Sequence, residues 1–175
     1  MEDKLKAIIK QNTENPLIIM LCGVAGSGKT TLAQQLEIKA GFIRLSIDEE
    51  IWKVYGRYGI DYPSADYEDY QVEAEKRLRN YLMRLIQDKQ RVVIDFSFWQ
   101  KSKREEYKKL IEETGGEWKL IYLKVSPDII QKRLDKRSKR FDANAAFPIT
   151  EKTLASYLDG FEVPSQEGEI VIVST

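Results

Sequence analysis

The sequence predicts a three-layer α/β domain on a parallel sheet of about five strands, and three observations carry that prediction. Short β-branched runs alternate with amphipathic helical stretches, a pattern that calls for parallel strands, crossover helices and a sheet covered on both faces. The apolar run Leu17-Ile18-Ile19-Met20-Leu21-Cys22 leads straight into Gly23-Val24-Ala25-Gly26-Ser27-Gly28-Lys29-Thr30, and a helical face of Leu32, Ala33, Leu36 and Ala40 follows. Two further strand-like runs close on an acid, Asp48 and Asp95. Ligands of such sheets lie beyond the carboxyl ends of the strands, so Gly23, Asp48 and Asp95 are expected on one rim.

Each element has its own justification. Residues 4–10 carry Leu5, Ile8 and Ile9 on one side of a short surface helix, which Asn15-Pro16 stops before the first strand. Gly41 closes the helix after the glycine turn, and a second strand is expected over 42–47. Residues 48–63 start helically at Asp48 and turn irregular and aromatic over 56–63. A long helix over 64–89 follows, with Ala74, Leu78, Tyr81, Leu82, Leu85 and Ile86 on one face. Residues 91–96 make a β-branched strand. Ser102-Lys103-Arg104-Glu105 reads as a capping box for a helix burying Tyr107, Leu110, Ile111 and Thr114, which Gly115-Gly116 ends. A strand over 117–125 precedes Ser126-Pro127, an N-cap and first-turn proline for a helix anchored by Ile129, Ile130 and Leu134. Residues 141–148 are too small and polar for a core element and read as a mobile loop, a lid over about 138–149. Thr150 caps a last helix with Leu154, Tyr157, Leu158 and Phe161, and residues 170–173 form the final strand.

The glycine turn matches the P-loop template in full: Gly, four residues, Gly, Lys, Thr. Its glycines remove side chains that would hold a phosphate away, and its amides open a helix N-terminus, where unpaired N–H groups and the dipole favour an anion. Gly23, Ala25, Gly26, Ser27, Gly28, Lys29, Thr30 and Thr31 are therefore the nucleotide-side candidates. Lys29 supplies a cation for the β and γ phosphates, and the Thr30 hydroxyl is placed to hold Mg²⁺.

Phosphoryl transfer also needs an acid to orient or deprotonate the acceptor and another to fix the metal. Asp48 and Asp95 are the candidates, with either able to take either part; as alternatives, Asp48 is a plain helix cap and Asp95 a strand-end carboxylate satisfied by amides. Arg133, Arg137 and Arg140 share a helical face just before the loop, where guanidinium forks could close on phosphates or, with Lys132, Lys136 and Lys139, form a solvated basic helix end. The aromatic stretch from Trp52 to Tyr67 reads equally as an acceptor wall and as core at the sheet edge; Trp52 and Trp99 are the acceptor-side candidates.

The bulk numbers narrow the class. A chain of 175 residues holds one domain, 1–175, and 42% hydrophobic with 32% charged residues is ordinary globular composition. Twenty-eight basic and 28 acidic residues cancel, which disfavours nucleic acid or an anionic membrane as partner. With no histidine and a single cysteine, histidine bases, histidine ligands, internal disulfides and Cys-based zinc sites are excluded; Cys22 reads as buried filling. No run is long enough to span a bilayer and residues 1–11 lack a signal-peptide core, so a cytoplasmic protein, monomeric or weakly homodimeric, is expected.

These motifs together resemble the small P-loop kinases grouped loosely with AAA-type ATPases, whose relatives are the kinase domain of polynucleotide kinase, chloramphenicol phosphotransferase and the zeta toxins. The resemblance covers most of the chain. It rests on residues 23–30, Leu45-Ser46-Ile47-Asp48-Glu49, Val92-Val93-Ile94-Asp95-Phe96-Ser97-Phe98-Trp99 with Arg104, Arg133-Leu134 with Arg137, and Phe161-Glu162-Val163-Pro164. It implies a nucleoside-kinase-like fold with a short lid, Asp48 as the aspartate that activates an acceptor hydroxyl, and Arg137 as a lid arginine touching ATP. Relatives acting on phosphorylated acceptors often carry an arginine one turn after that aspartate, whereas Ile51 and Trp52 stand here, which turns the expectation to a small neutral acceptor.

The expected function is thus an ATP- and Mg²⁺-dependent kinase for a hydroxyl on an unidentified small molecule. The alternatives are an ATP-binding or hydrolysing regulatory module without an acceptor, and a polynucleotide-kinase-like enzyme. A switch GTPase is disfavoured because no Asn-Lys-x-Asp segment occurs, and an oligomeric AAA+ machine because no room remains for its helical lid domain.

Overall fold

A computed structural model describes Ile9 and residues 14–174. Ile9 is helical; the remainder of the helix expected over 4–10 lies outside the described residues. Five parallel strands, β1 (Leu17–Cys22), β2 (Ile43–Leu45), β3 (Val92–Ile94), β4 (Glu117–Val125) and β5 (Glu169–Ser174), lie in the order β2-β3-β1-β4-β5. Six α-helices connect or follow them: α1 (Lys29–Ala40), α2 (Ile47–Tyr55), α3 (Tyr67–Gln87), α4 (Lys101–Thr114), α5 (Pro127–Arg137) and α6 (Glu151–Asp159). This is the predicted α/β fold.

Strand alternation sorts β1 onto two cores. Ile18, Met20 and Cys22 meet Leu78, Leu82, Leu85 and Ile86 of α3 and Tyr107 and Ile111 of α4. Leu17, Ile19 and Leu21 meet Leu32, Ala33 and Leu36 of α1. Because β3 and β2 follow one another on one side of β1, the carboxyl ends that lead to Gly23, Asp48 and Asp95 stand side by side. Among the described residues, no helix is long and apolar enough to cross a membrane.

Several boundaries differ from the sequence reading for local reasons. The second strand is only Ile43–Leu45 because Ser46 leaves it to cap α2, its hydroxyl accepting from the Glu49 amide at 3.4 Å. The long helix begins as a 3-10 turn, Ser64–Asp66, and Tyr81 is 45% exposed at the flank of its apolar stripe. No capping box forms at Ser102: α4 starts at Lys101, whose amide donates to the Glu162 carboxylate at 2.6 Å, 61 residues away in sequence. Arg104 and Lys108 join Tyr107 and Ile111 on its buried face. Thr150 does cap α6, but Tyr157 and Leu158 stay largely exposed and only Leu154 is buried, against Ile130 and Leu134. Phe161 falls beyond α6 and stacks on Tyr122.

Candidate active site

The glycine turn is held from both sides. Val24 and Ala25 rest on the cluster of Ile130, Leu134 and Leu154, and a Cβ on Gly26, at φ 79, would lie 3.3 Å from Ile130 and Leu134. Gly23 has φ 153, and a Cβ there would come within 2.6 Å of the Ser27 hydroxyl. Both positions therefore demand glycine. The Gly23 amide donates to the Ser97 carbonyl at 3.2 Å, fastening the turn to the segment after β3. Lys29 folds back over the turn and donates to the Gly23 and Val24 carbonyls at 2.8 and 3.0 Å. Burial lowers the pKa of its ammonium, and Asp95 draws it back up. The Ser27 hydroxyl is buried without a hydrogen-bond partner, and Thr31 is exposed on the first turn of α1.

Asp95 follows β3 directly, and its amide donates to the Leu45 carbonyl at 2.8 Å. The Thr30 hydroxyl donates to its Oδ1 at 3.4 Å, and the Arg44 guanidinium to its Oδ2 at 2.9 Å. Burial raises the pKa of this carboxyl, while Lys29 and Arg44 oppose the rise. Thr30 and Asp95 thus offer adjacent hard oxygens of the kind Mg²⁺ takes together with phosphate and water oxygens. Among the described residues no cluster of three or more His, Cys, Asp or Glu side chains forms a cage of its own. An ion here would need a nucleotide to complete its shell, and the two donors fit that arrangement.

Asp48 lies in the first turn of α2, with Ser46 as the cap, so the plain-cap reading of Asp48 does not hold. It accepts from the Tyr67 hydroxyl at 3.2 Å. Burial raises its pKa; Arg137, Tyr67 and Lys29 lower it, and Asp95 adds to the rise. Lys29, Asp48, Asp95 and Arg137 thus share one electrostatic neighbourhood. The Arg137 Nε is buried without a hydrogen-bond partner.

The three arginines expected on one helical face separate, because α5 ends at Arg137 and Arg140 lies beyond it. Arg137 is close enough for its charge to lower the pKa of Asp48. Arg133 donates to the Gly26 and Ser27 carbonyls at 3.3 and 3.1 Å and braces the turn. Arg140 pairs with Asp142 at 2.7 Å inside the loop. Trp52 is half-buried and meets Phe141 edge-on at 5.7 Å, beside the α2 turn that carries Asp48. Trp99, 41% exposed, instead packs on Gly160 after α6. Tyr62 and Tyr67 are buried, and together with Tyr55, Tyr58 and Tyr70 they form a cluster that favours the core side of the aromatic alternative. Residues 141–148 are irregular as expected, but Phe147 is not spare: it stacks on Tyr67 at 4.6 Å and meets Tyr58 at 5.4 Å. Cys22 is buried, its thiol pKa pushed up to about 11, and its Sγ donates to the Phe98 carbonyl.

Sequence reasoning missed Arg44. The signal was present, since a charged residue between Ile43 and Leu45 in a strand beside an apolar neighbour needs a buried partner.

Comparisons with known proteins bear on the fold. A solved candidate kinase from Chloroflexus aurantiacus superposes with a TM-score of 0.72 at 17% identity, covering 93% of this chain and 90% of that one. A gluconokinase from Sinorhizobium meliloti gives 0.57 at 18%, covering 92% and 84%. Kti12 from Chaetomium thermophilum, solved with ADP-AlF₃, gives 0.60 at 17%, covering 89% and 88%. A search of curated protein sequences finds no match. At these identities the likeness is one of fold, a P-loop kinase-like fold. A family profile described as AAA domain matches residues 18–164, and the chain belongs to that family.

Proposed function

We propose that the chain is an ATP- and Mg²⁺-dependent phosphotransferase that moves the γ-phosphoryl group of ATP to a hydroxyl of a small-molecule acceptor. The observation that carries this reading is the unequal state of two acids beside one phosphate cradle. Asp95 has both oxygens engaged, by Thr30 and by Arg44, and suits a fixed part on the metal side. Asp48 accepts one hydrogen bond, from Tyr67, and burial raises its pKa, which suits a group that takes a proton.

In this reading Lys29 and the amides of the glycine turn other than those of Gly23 and Ser27, which donate to the Ser97 and Val24 carbonyls, hold the β and γ phosphates, and Thr30 and Asp95 would hold Mg²⁺, which would neutralise phosphate charge. The acceptor oxygen attacks the γ phosphorus as the bond to the β–γ bridging oxygen breaks; ADP leaves with that electron pair. The hydroxyl proton passes to Asp48. Arg137 stabilises charge at the γ oxygens. Trp52, beside Asp48, flanks the acceptor, and residues 138–149 act as the lid. Sugars and sugar acids are among the acceptors to try, since a gluconokinase shares the fold.

The test is incubation with Mg²⁺ and γ-labelled ATP against pools of hydroxylated metabolites and antibiotics, read by transfer of label. Labelled product that requires Asp48 supports the reading. Stoichiometric ADP and free phosphate without any acceptor, equal in an Asp48→Asn variant, would replace it with a hydrolytic or regulatory module. Label on nucleic acid alone would replace the small acceptor.

A further inference from the structure

We infer that Arg44 is a positioning residue that ties the acid on the metal side, Asp95, to the loop over the site through Glu49 and Asn144. This deepens the phosphotransferase reading and rests on it for the part played by Asp95. Arg44 lies opposite Val93 in the β2–β3 register, so its side chain leaves the sheet on the α1 side, where Val93 also packs. That side chain is only 4% exposed. A guanidinium buried so deeply needs anionic partners, and it has three: Asp95 at 2.9 Å, Glu37 at 3.5 Å, and Glu49.

The placement of these bonds does more than neutralise charge. Arg44 takes Oδ2 of Asp95 and leaves Oδ1 to face Thr30, so it fixes the plane of the carboxylate relative to the cradle. Its other amino group meets Oε1 of Glu49, and the same oxygen accepts from Asn144 Nδ2 at 3.0 Å. One carboxylate oxygen therefore joins an arginine anchored in the sheet to a side chain of the loop. Asn144 Oδ1 is buried without a hydrogen-bond partner, so Glu49 is the polar hold on that side chain among the described residues. The Asn144 amide is fixed in turn by Asp142, the partner of Arg140. Movement of Asp95 against Thr30 is thereby felt at residues 142–144, and opening of the loop loosens Asp95. A guanidinium can do this because its fork reaches two acids at once, which a lysine ammonium on a single stem cannot match.

Two measurements on the full chain test this. The first needs no nucleotide: limited proteolysis within residues 141–148. Asn144→Ala and Glu49→Gln are each expected to speed cleavage there severalfold, and Asn144→Ala combined with Arg44→Gln to be cut no faster than the faster single variant. The second is the Mg²⁺ dependence of binding of a fluorescent ATP analogue. Arg44→Gln is expected to raise the Mg²⁺ concentration at half-saturation by roughly tenfold, the scale seen when a partner of a metal ligand is lost. Arg44→Lys separates the arms, keeping the metal dependence near wild type while the loop is cut as in Asn144→Ala. Unchanged cleavage in Asn144→Ala, additive acceleration in the double variant, or an unshifted Mg²⁺ midpoint in Arg44→Gln overturns the inference. If Arg44→Gln does not fold, Asn144→Ala, Glu49→Gln and Arg44→Lys decide it. A wild-type chain that binds no nucleotide removes the phosphotransferase reading and the Asp95 arm, while the cleavage series still decides the tie between Arg44 and the loop.

Discussion

Replacing Arg104 with methionine isolates the contact that fastens the rim of the site to the far end of the chain. The guanidinium is fully buried and donates to both oxygens of Glu167 at 2.7 Å and to the Phe98 carbonyl at 2.9 Å. The Glu167 side chain is itself 3% exposed. Methionine fills much of the volume but strands that carboxylate with Lys108, whose ammonium lies 3.7 Å from it. Breaking a buried pair by removing one partner costs about 3–5 kcal/mol, which at ~2–4 °C per kcal/mol for this size corresponds to a fall of roughly 6–20 °C in Tm. The damage should reach the cradle, because Phe98 sits at φ 43 next to Ser97, the acceptor for the Gly23 amide. Nucleotide affinity should therefore drop in the folded variant as well. Arg104 holds the Glu167 carboxyl below its ordinary value. The pair's contribution is then present above the unfolded carboxyl value of about 4.3 and is lost as pH falls through the lower native value, so wild type and variant should converge in acid. Removing both charges, Arg104→Met with Glu167→Leu, should recover stability to within about 2 kcal/mol of wild type, since hydrophobic replacement of a buried pair is often neutral. Chemical denaturation at several pH values reads all of this. A single variant within about 1 kcal/mol of wild type, or a double variant no better than the single, refutes the reasoning.

Three further outcomes follow from the site. Asp48→Asn should keep nucleotide binding, lower transfer by about 10²–10⁴-fold, and melt at or above the wild-type temperature at pH 7. The native pKa of Asp48 is raised, so its charged form costs stability as pH rises through that value; retained turnover or a clear loss of Tm counts against it. Tyr67→Phe removes the donor that helps keep Asp48 ionised, so the acid limb of a transfer pH profile should move to higher pH, and an unmoved limb would reassign the base. Gly23→Ala puts a Cβ 2.6 Å from the Ser27 hydroxyl at φ 153, and calorimetric titration with Mg-ATP should show at least a tenfold loss of affinity, about 1.4 kcal/mol. Wild-type affinity would mean the turn does not need its bare backbone there.

What the sequence discloses and what it hides divides along contact distance. The glycine turn, the strand beside it and the helix after it are legible because spacing within eight residues dictates their geometry. Asp48 and Asp95 are legible as a pair because parallel strand order places their ends together. Arg133, Arg137 and Arg140 are not separable from spacing. Their spacing puts all three on one face of a continuous helix, yet α5 ends at Arg137 and leaves Arg140 beyond it; the first meets loop carbonyls, the second acts on the charge of Asp48 and the third pairs with a neighbour two residues on. Ser102 looks like a cap because the pattern is local, while the group that satisfies Lys101 arrives from Glu162 through the tertiary fold. Phe147 stands in a polar stretch whose composition outvotes it, and its partners Tyr58 and Tyr67 lie far back in the chain.

The posture of Lys29 bears on whether the cradle is blocked or poised. Its ammonium rests on the Gly23 and Val24 carbonyls, the place a phosphate would have to win from it. A buried ammonium must be paired, and the loop's own oxygens accept from this one. Hydrogen bonds from an ammonium to neutral carbonyls are weaker than those to phosphate oxygens, where both partners carry charge. Exchange therefore favours the anion and withdraws no cation from the site. Arg133 meanwhile holds the Gly26 and Ser27 carbonyls. The Gly23 and Ser27 amides donate to the Ser97 and Val24 carbonyls, so two cations bound to four carbonyls of one short turn leave its other amides, together with the N–H groups that open α1, as the polar groups available to an anion. The posture of Lys29 is thus compatible with phosphate capture, and Lys29→Ala should weaken nucleotide binding in a calorimetric titration even though it frees space; unchanged affinity would overturn this.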